Sequence, residues 1–407
     1  MALTVEKLND DTTFIFAFAP IFAPKKAGPK FPGAFTILMD PWLTGNATIG
    51  HPGFQTARHT GKCALESLAS LKEPVDLIVI SQDFPDHCHQ ETLCTLPADT
   101  GTKILATPSA AKKIWSWKHF DPSVVHVLKP YNSEKKDTVT RVSLPSYTST
   151  SAKGEITIAN IPAKRDVTGL HNAIGITYRP PASMLTAMND QTVNLSDLIA
   201  PPISPKLRQT RSAINLTESS GLRFLKRPRT ASSPRQDSLN PLSKTQTLPD
   251  RPATNACSRE RSDSVVEKSK PRAHIEKTLS IVYTPHGVNY ATLSSYLEHH
   301  LYPANDTTRL TALFHCINTE ENPWLLGGKV ANGAPGGVAI AQDLRAKYWF
   351  SAHDEKKELK GVSTTWLRST KYSIDEVRKM LATGEVETET ETEVHTLGVG
   401  ETIRVEG

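Results

Sequence analysis

The pattern of apolar positions predicts a chain built mainly of short, buried strands. Runs of apolar, β-branched and aromatic residues recur between polar or Pro- and Gly-containing turns, and this spacing is typical of strands in a protein core. The predicted strands cover residues 14–24, 35–40, 76–80, 103–107, 124–128, 156–161, 173–178, 278–285, 310–317, 347–354, 393–397 and 402–405.

Helical spacing of apolar residues occurs between several of these strands. The predicted helices cover residues 63–71, 109–117, 291–300, 338–346 and 373–381. The last of them begins at Ser373 with Glu376 three residues on, which is the pattern of a capping box. Because helices recur between strands, the fold class expected is α/β, with sheets in the interior and helices packed outside them.

A long segment in the middle of the chain breaks this pattern. Residues 186–275 are rich in Ser, Pro, Arg and Thr, and Phe224 is their only aromatic residue. Such a composition buries too little apolar surface to offset the entropy of ordering the chain, so the segment is predicted to be disordered. Regular patterning resumes after it. We therefore expect one domain, formed by 1–185 and 276–407, that carries a disordered insertion at 186–275.

Charge separates the insertion from the rest of the chain. Residues 201–277 contain 16 Lys and Arg against 7 Asp and Glu, whereas the rest contains 31 against 35. Basic residues precede Ser and Thr within 222–239, which is the pattern of a kinase substrate or of a weak nuclear-import patch. The alternative is a solvated low-complexity loop without a partner. It lacks the interleaved aromatic residues that stack on bases, which makes a nucleic-acid partner unlikely.

Cysteine usage and hydropathy indicate the compartment. The five cysteines form no CxxC pair, which argues against a disulfide framework and favours a reducing environment. The apolar run 14–24 is broken by Pro20 and Pro24, so it predicts a strand and no membrane span. The expected location is the cytoplasm or the nucleus.

One loop contains a dense group of candidate metal ligands. The strand 76–80 leads into Asp86, His87, Cys88 and His89, all of residue types that bind metals. The segments DPWLTG (40–45), DLIVISQDFPDHCH (76–89) and KILATP (103–108) follow one another in the order found in the metallo-β-lactamase superfamily.

On these segments, the chain resembles the lactonase-like branch of that superfamily, and within it a divergent eukaryotic group. That group also carries Tyr-x-Pro-His, matched here by residues 283–286. The resemblance covers about residues 10–180 and 278–405, and it implies a four-layer αββα metallo-β-lactamase-like sandwich.

The family motif H-x-H-x-D-H is degenerate in this chain. Its two leading histidines fall on Gln82 and Phe84, and its second half falls on Asp86 and His87. Phe84 cannot coordinate a metal, and the neutral amide of Gln82 is a poor zinc ligand. The third histidine of that first site should lie near Lys164, so the resemblance implies that the first metal site is lost.

The second family site implies a reduced centre. Asp86, His87, His286 and His353 would hold one zinc ion, and its bound water would attack a small ester, lactone or phosphoester substrate. Asp86 and His87 are therefore the predicted catalytic residues. The resemblance assigns Asp40 a structural role beneath the site, while His89 is kept as a reserve ligand.

The same residues admit readings without catalysis. Asp86 and His87 could simply stabilise their loop, His286 could be a satisfied polar residue beside a turn, and His353 could belong to a solvated loop. The alternative function is thus a catalytically inactive pseudoenzyme that serves as a binding or scaffolding module. Nucleic-acid processing is a third possibility. The Gly-rich stretch 327–337 lacks phosphate-loop spacing, and His299 and His300 are predicted to be solvated.

Overall fold

The computed structural model describes residues 1–20, 31–146, 152–166, 168–181, 278–305, 309–324, 328–383 and 392–407. Within them the strands are β1 (Ala2–Lys7), β2 (Phe14–Ala19), β3 (Phe35–Met39), β4 (Ala47–Ile49), β5 (Gln55–Arg58), β6 (Leu77–Ile80), β7 (Lys103–Ala106), β8 (Val125–Val127), β9 (Val139–Leu144), β10 (Gly154–Pro162), β11 (Asn172–Arg179), β12 (Leu279–Thr284), β13 (Ala312–His315), β14 (Thr319–Glu321), β15 (Lys329–Asn332), β16 (Tyr348–Ser351), β17 (Glu358–Lys360), β18 (Arg368–Thr370), β19 (Glu393–His395) and β20 (Thr402–Glu406).

The helices of the described residues lie between these strands. The α-helices are α1 (Gln90–Leu93), α2 (Pro108–Ser116), α3 (Tyr290–Tyr296), α4 (Tyr302–Asn305), α5 (Gly333–Asp343) and α6 (Ile374–Ala382). A π-helical turn, Leu297–Leu301, joins α3 to α4. Short 3-10 helices cover Leu68–Ser70, Lys136–Thr138 and Val362–Trp366. No helix among the described residues is long and apolar enough to cross a membrane.

Two seven-stranded sheets form the interior of the fold. The first has the order β20-β1-β2-β3-β6-β7-β8, and the second β19-β16-β13-β12-β11-β10-β9. Alternate residues of β2 point inward because side chains on a strand alternate between its two faces. Phe14 and Phe16 thereby reach Phe314 of the second sheet, with ring centroids 5.3 and 4.6 Å apart. Aromatic rings from both sheets therefore meet in the buried core, which also contains many aliphatic side chains.

Helices cover the outer face of each sheet. One cluster of buried apolar side chains packs α3, α5 and α6 against the second sheet around Trp349. Another packs α1 and α2 against the first sheet around Ile78. The layers thus run helix, sheet, sheet, helix. The predicted four-layer α/β sandwich is confirmed.

Several elements differ from the prediction. Residues 63–71 contain only the 3-10 turn at Leu68–Ser70. The helix expected at 338–346 begins earlier, at Gly333 inside the Gly-rich stretch, which also contains β15. The last two strands belong to different sheets: β19 joins the second and β20 the first. His300 is not solvated: it is buried, and its Nε2 lies 2.8 Å from the Thr157 hydroxyl.

Strands on both sides of residues 182–277 belong to one sheet. β11 pairs antiparallel with β12, and Tyr178 is the register partner of Leu279. The predicted insertion 186–275, including its proposed phosphorylation segment, lies outside the described residues, so it remains a prediction.

The strand order brings several strand ends to one place. β3 and β6 are parallel neighbours in the first sheet, and β12, β13 and β16 are parallel neighbours in the second. Carboxyl ends of parallel strands meet at one edge of a sheet, where open α/β sheets bind ligands. Asp40, His286 and the loops that contain His87 and His353 follow such ends.

Candidate metal centre

The loop after β6 forms a tight turn that buries His87. The backbone N–H groups of His87 and Cys88 both donate to the carbonyl of Phe84, at 3.0 and 2.7 Å. The Thr12 hydroxyl, from the turn between β1 and β2, donates to the Asp86 carbonyl at 3.2 Å. These bonds fix the backbone, so His87 is fully buried while Asp86 remains at a cavity wall.

The carboxylate of Asp40 orients the His87 ring through a hydrogen bond. Its Oδ2 accepts from His87 Nδ1 at 2.8 Å, from the Ser81 hydroxyl at 2.5 Å and from the Tyr283 hydroxyl at 2.9 Å. Its Oδ1 accepts from the Ser81 backbone N–H at 2.7 Å. A carboxylate oxygen accepts, so these contacts place a proton on the Nδ1 of His87, and its Nε2 is the nitrogen that faces the Nε2 of His286.

His286 has the same arrangement with a different acceptor. It follows β12, and its Nδ1 lies 3.1 Å from the Val330 carbonyl oxygen at the start of the neighbouring β15. A carbonyl oxygen can only accept, so the Nδ1 of His286 carries the proton and its Nε2 is free.

His353 is the third histidine whose Nδ1 lies beside an acceptor. It follows β16 with φ +67°, a left-handed conformation that β-branched and bulky residues rarely adopt. Its backbone N–H donates to the Asp11 carbonyl at 3.2 Å, and its Nδ1 lies 3.0 and 3.2 Å from the two Asp11 carboxylate oxygens. Asp11 therefore holds both the backbone and the ring of His353.

The three rings converge on one point. The Nε2 atoms of His87 and His286 are 3.1 Å apart, and the ring centroids of His286 and His353 are 4.3 Å apart. One ring nitrogen from each of the three histidines lies within 4.8 Å of the others, which is a spacing that suits a metal ion. Three of the four predicted ligands are thus brought together.

Asp86, the fourth predicted ligand, lies beside this group. It forms a second set of ligand type with Asp11 and His353, and its Oδ2 is 4.0 Å from the Nε2 of His353. The ammonium of Lys357 lies 3.3 Å from that same oxygen and 2.7 Å from Asp11 Oδ2. Both carboxylates therefore share one cation.

Charges in this cluster shift the ionisation of its members. Burial by itself raises the pKa of Asp86, but Lys357, His87 and His353 lower it to about 2. Burial by itself lowers the pKa of Lys357, yet Asp11 and Asp86 hold it above its usual value. At neutral pH the cluster therefore contains two carboxylates and one ammonium ion.

The two contacting histidines are shifted in opposite directions. Burial lowers the pKa of His87, but the charges of Asp86 and Asp40 outweigh it and raise that pKa. Burial, with His353 and His87 nearby, lowers the pKa of His286 well below its usual value. A proton at this contact therefore belongs to His87, from which it can be shared with the Nε2 of His286.

The motif positions that depart from the family pattern have structural roles. The Gln82 amide donates to the Leu170 carbonyl at 2.8 Å and to the Asn172 side chain at 3.0 Å. Phe84 lines the cavity. His89 is the N-cap of α1, where its Nδ1 accepts from the Thr92 N–H. That nitrogen already accepts a hydrogen bond, and His89, the reserve ligand, does not belong to the group of three histidines.

Sequence reasoning missed Asp11 and Lys357. Asp11 follows Asp10 in a polar turn, a pattern shared with ordinary solvated turns, but here its side chain is fully buried. Lys357 stands in a charged stretch that suggested an exposed loop, although only 11% of its side chain is exposed. A local signal for this pair is lacking in the sequence, because the two residues are far apart along the chain.

A cavity of about 720 Å³ opens above the centre. His286, His353, Asp86 and Lys357 form part of its floor. Its outer wall contains three large apolar side chains that are each about half exposed, namely Phe54, Val362 and Trp366. The volume lies within the range of pockets that bind small molecules.

Comparison with known proteins gives a likeness in structure only. No family model and no curated protein matches the chain. Igni18, a metallo hydrolase from the archaeon Ignicoccus hospitalis, is similar over 100% of both chains at 10% identity and a TM-score of 0.43. YhfI of Bacillus subtilis, a metallo-β-lactamase fold protein, is similar over 100% of both chains at 10% identity and a TM-score of 0.41.

CmlA, a diiron β-hydroxylase from Streptomyces venezuelae, is similar over 99% of this chain and 54% of its own, at 10% identity and a TM-score of 0.43. Likeness at this level carries no residue roles from one protein to another. The chemistry of the centre has to follow from its own geometry.

Proposed function

We propose that this protein is a metal-dependent hydrolase of a small ester, lactone or phosphoester, with one zinc ion held by His87, His286 and His353. The observation that carries the proposal is the set of Nδ1 partners. Each ring places its Nδ1 within hydrogen-bond distance of an acceptor, Asp40, Val330 or Asp11, and in the tautomer with the proton on Nδ1 it keeps a lone pair on Nε2. Zinc-binding histidines typically have such partners, which fix both the tautomer and the ring orientation.

The donor set and its spacing fit zinc. Neutral imidazole nitrogens bind zinc at about 2.0–2.1 Å in tetrahedral geometry, so two of them on one ion lie roughly 3.3 Å apart. The 3.1 Å between the Nε2 atoms of His87 and His286 is close to that separation. Three histidines would leave the fourth position open, and zinc bound in such a site lowers the pKa of a water ligand to about 7.

The chain's own residues supply the rest of the reaction site. Asp86 is ionised at neutral pH and lines the cavity, so it can accept a hydrogen bond and orient a water molecule there. Lys357 lines the same cavity, and its ammonium can pair with negative charge that develops on a substrate oxygen. In this proposal His87 acts as a ligand and Asp86 as the residue that orients water.

The cavity indicates a small substrate that has an apolar part. Phe54, Val362 and Trp366 expose apolar surface in the cavity, whereas the histidines and Asp86 line it with polar groups. A substrate could thus place its apolar portion against these apolar side chains with its scissile bond toward Asp86.

Metal analysis tests the proposal. Full-length protein would be stripped with a chelator and titrated with zinc by calorimetry, and with cobalt(II) by visible absorption, which reports tetrahedral coordination. We expect one equivalent of zinc, and hydrolysis of ester, lactone or phosphoester probes that depends on it. His353→Ala should lose both. His119→Ala is the matched control, because the His119 ring contacts the Leu96 carbonyl at 2.9 Å and none of the three histidines or their Nδ1 partners.

Failure to take up any transition metal, in protein shown to be folded by circular dichroism, would contradict the proposal. Uptake of zinc without turnover of any probe would keep the site and reject the hydrolase function for those substrate classes.

A second candidate, a metal-free binding module, is favoured by one contact. The 3.1 Å between the Nε2 atoms of His87 and His286 also suits a hydrogen bond from protonated His87 to neutral His286. The pKa shifts of the two rings have the directions that this bond requires. Under this alternative, chelator-treated protein would keep its thermal stability, and zinc would leave it unchanged.

A further inference from the structure

The ammonium of Lys357 lies where a second metal ion would find its ligands. Asp11, Asp86 and His353 offer ligand atoms within 4.8 Å of one another, adjacent to the three-histidine group. Because His353 is already a ligand of the proposed zinc, the two carboxylates are the ligands left for a second ion. The Lys357 Nζ is 2.7 Å from Asp11 Oδ2 and 3.3 Å from Asp86 Oδ2. Those are the carboxylate oxygens that an ion in this position would need, and the lysine already contacts both.

Lys357 is held in this position from several sides. Only 11% of its side chain is exposed, and its Nζ lies 5.5 Å from the centroid of the Trp42 ring, within the range of a cation–π contact. Its Nζ also approaches the Nδ1 of His353 to 3.3 Å. The side chain is thus enclosed by the site and is not a surface lysine that folds over it.

Charge balance points the same way. The carboxylates of Asp11, Asp40 and Asp86 bring three negative charges to the centre, and Lys357 brings one positive charge. Among these four contacting groups, one divalent ion on neutral histidines balances the charge, whereas a second ion would put two cations on the same carboxylate oxygens. Unbalanced charge in a buried site is costly, so the balance favours a single ion.

We propose that the centre binds one divalent ion and that Lys357 is a built-in cation in place of a second. This inference rests on the proposed function, because it presupposes that the three histidines bind zinc. It assigns Lys357 the role of a positioning residue that sets the metal count and holds Asp86 and Asp11.

Metal stoichiometry in lysine variants tests the inference. Full-length apo protein would be titrated with zinc by calorimetry, and bound metal would be counted by elemental analysis after dialysis. We expect one equivalent for the unmodified protein. We expect two for Lys357→Ala and Lys357→Gln, because removal of the ammonium frees the Asp11 and Asp86 oxygens. Lys357→Arg keeps the cation and should stay at one.

Lys356→Ala is the matched control. Lys356 is the preceding residue and lines the same cavity, but it is exposed. Its loss removes the same charge without freeing those oxygens, so one equivalent is expected.

One equivalent in folded Lys357→Ala and Lys357→Gln would overturn the inference while the proposed function stands. Two equivalents in the unmodified protein would overturn the inference together with the one-ion form of the proposed function. Absence of zinc from every form would instead overturn the proposed function, and the inference with it.

Discussion

Replacement of Asp40 by Asn should weaken zinc binding, because Asp40 is the hydrogen-bond partner of His87. Oδ2 accepts three hydrogen bonds and Oδ1 accepts one, so the amide oxygen of Asn would face the three donors and its NH₂ would face the Ser81 N–H. Two donors then oppose each other at a buried position. The cost to folding is about 1–3 kcal/mol, because a buried donor is left unsatisfied.

The effect on the metal follows from the bond to His87. That bond changes from charge-assisted to neutral, which roughly halves its strength and lowers the basicity of the ring. Loss of such a partner typically weakens metal binding by about 10- to 100-fold, equivalent to roughly 1.4–2.7 kcal/mol. We therefore expect the zinc Kd of Asp40→Asn to rise within that range.

Competition against a chromophoric chelator measures the zinc affinity, and urea unfolding of the apo protein measures the cost to folding. Asp76→Asn is the control. Asp76 accepts two hydrogen bonds from Thr36 at the opposite end of the same strand pair, β3 and β6, and so tests stability without touching the histidines. An Asp40→Asn protein that is folded and binds zinc within about twofold of the unmodified protein would refute the reasoning.

Three further predictions concern stability. Burial lowers the pKa of His300 to about 4 from 6.5, so His300 is neutral in the fold and binds protons better when unfolded. Stability should then fall as pH drops from about 6.5 to 4, by of order 2 kcal/mol, and urea titrations of His300→Gln should show a shallower loss. Ser373→Ala removes a complete capping box and should cost about 0.5–2 kcal/mol by the same measurement. Deletion of 205–270 should leave the melting temperature within about 5 °C, because the flanking strands β11 and β12 pair directly; a larger drop would show that the segment packs on the domain.

The strands could be predicted because their pattern is local. β6, β12 and β16 are short apolar runs with every residue buried, and a continuous apolar run of strand length is readable from sequence alone. The helix predicted at 63–71 is absent because its backbone donors bond elsewhere: the Ala64 N–H reaches the Leu8 carbonyl, and the Leu68 N–H reaches the Thr95 hydroxyl. Apolar spacing alone does not reveal such tertiary partners.

The centre could be predicted only where a motif exists. His87 and His286 stand in recognisable segments, whereas the role of Asp11 depends on where the turn after β1 meets the loop after β16. That meeting is set by the packing of the two sheets and not by neighbours in sequence. Lys357 is the hardest of these residues to predict, because the local sequence around a lysine does not show whether it is buried between two acids or solvated.

The pairing of β11 with β12 has a consequence for assembly. His87 precedes residues 182–277 in the chain, and both His286 and His353 follow them, so the ligand set is divided between two stretches of polypeptide. A break placed within 182–277 would yield two fragments that each contribute strands to both sheets and histidines to the proposed metal site. Zinc at about 1,000 times its Kd would then favour their association by roughly 4 kcal/mol, which would make reconstitution of the split protein a zinc-responsive reporter.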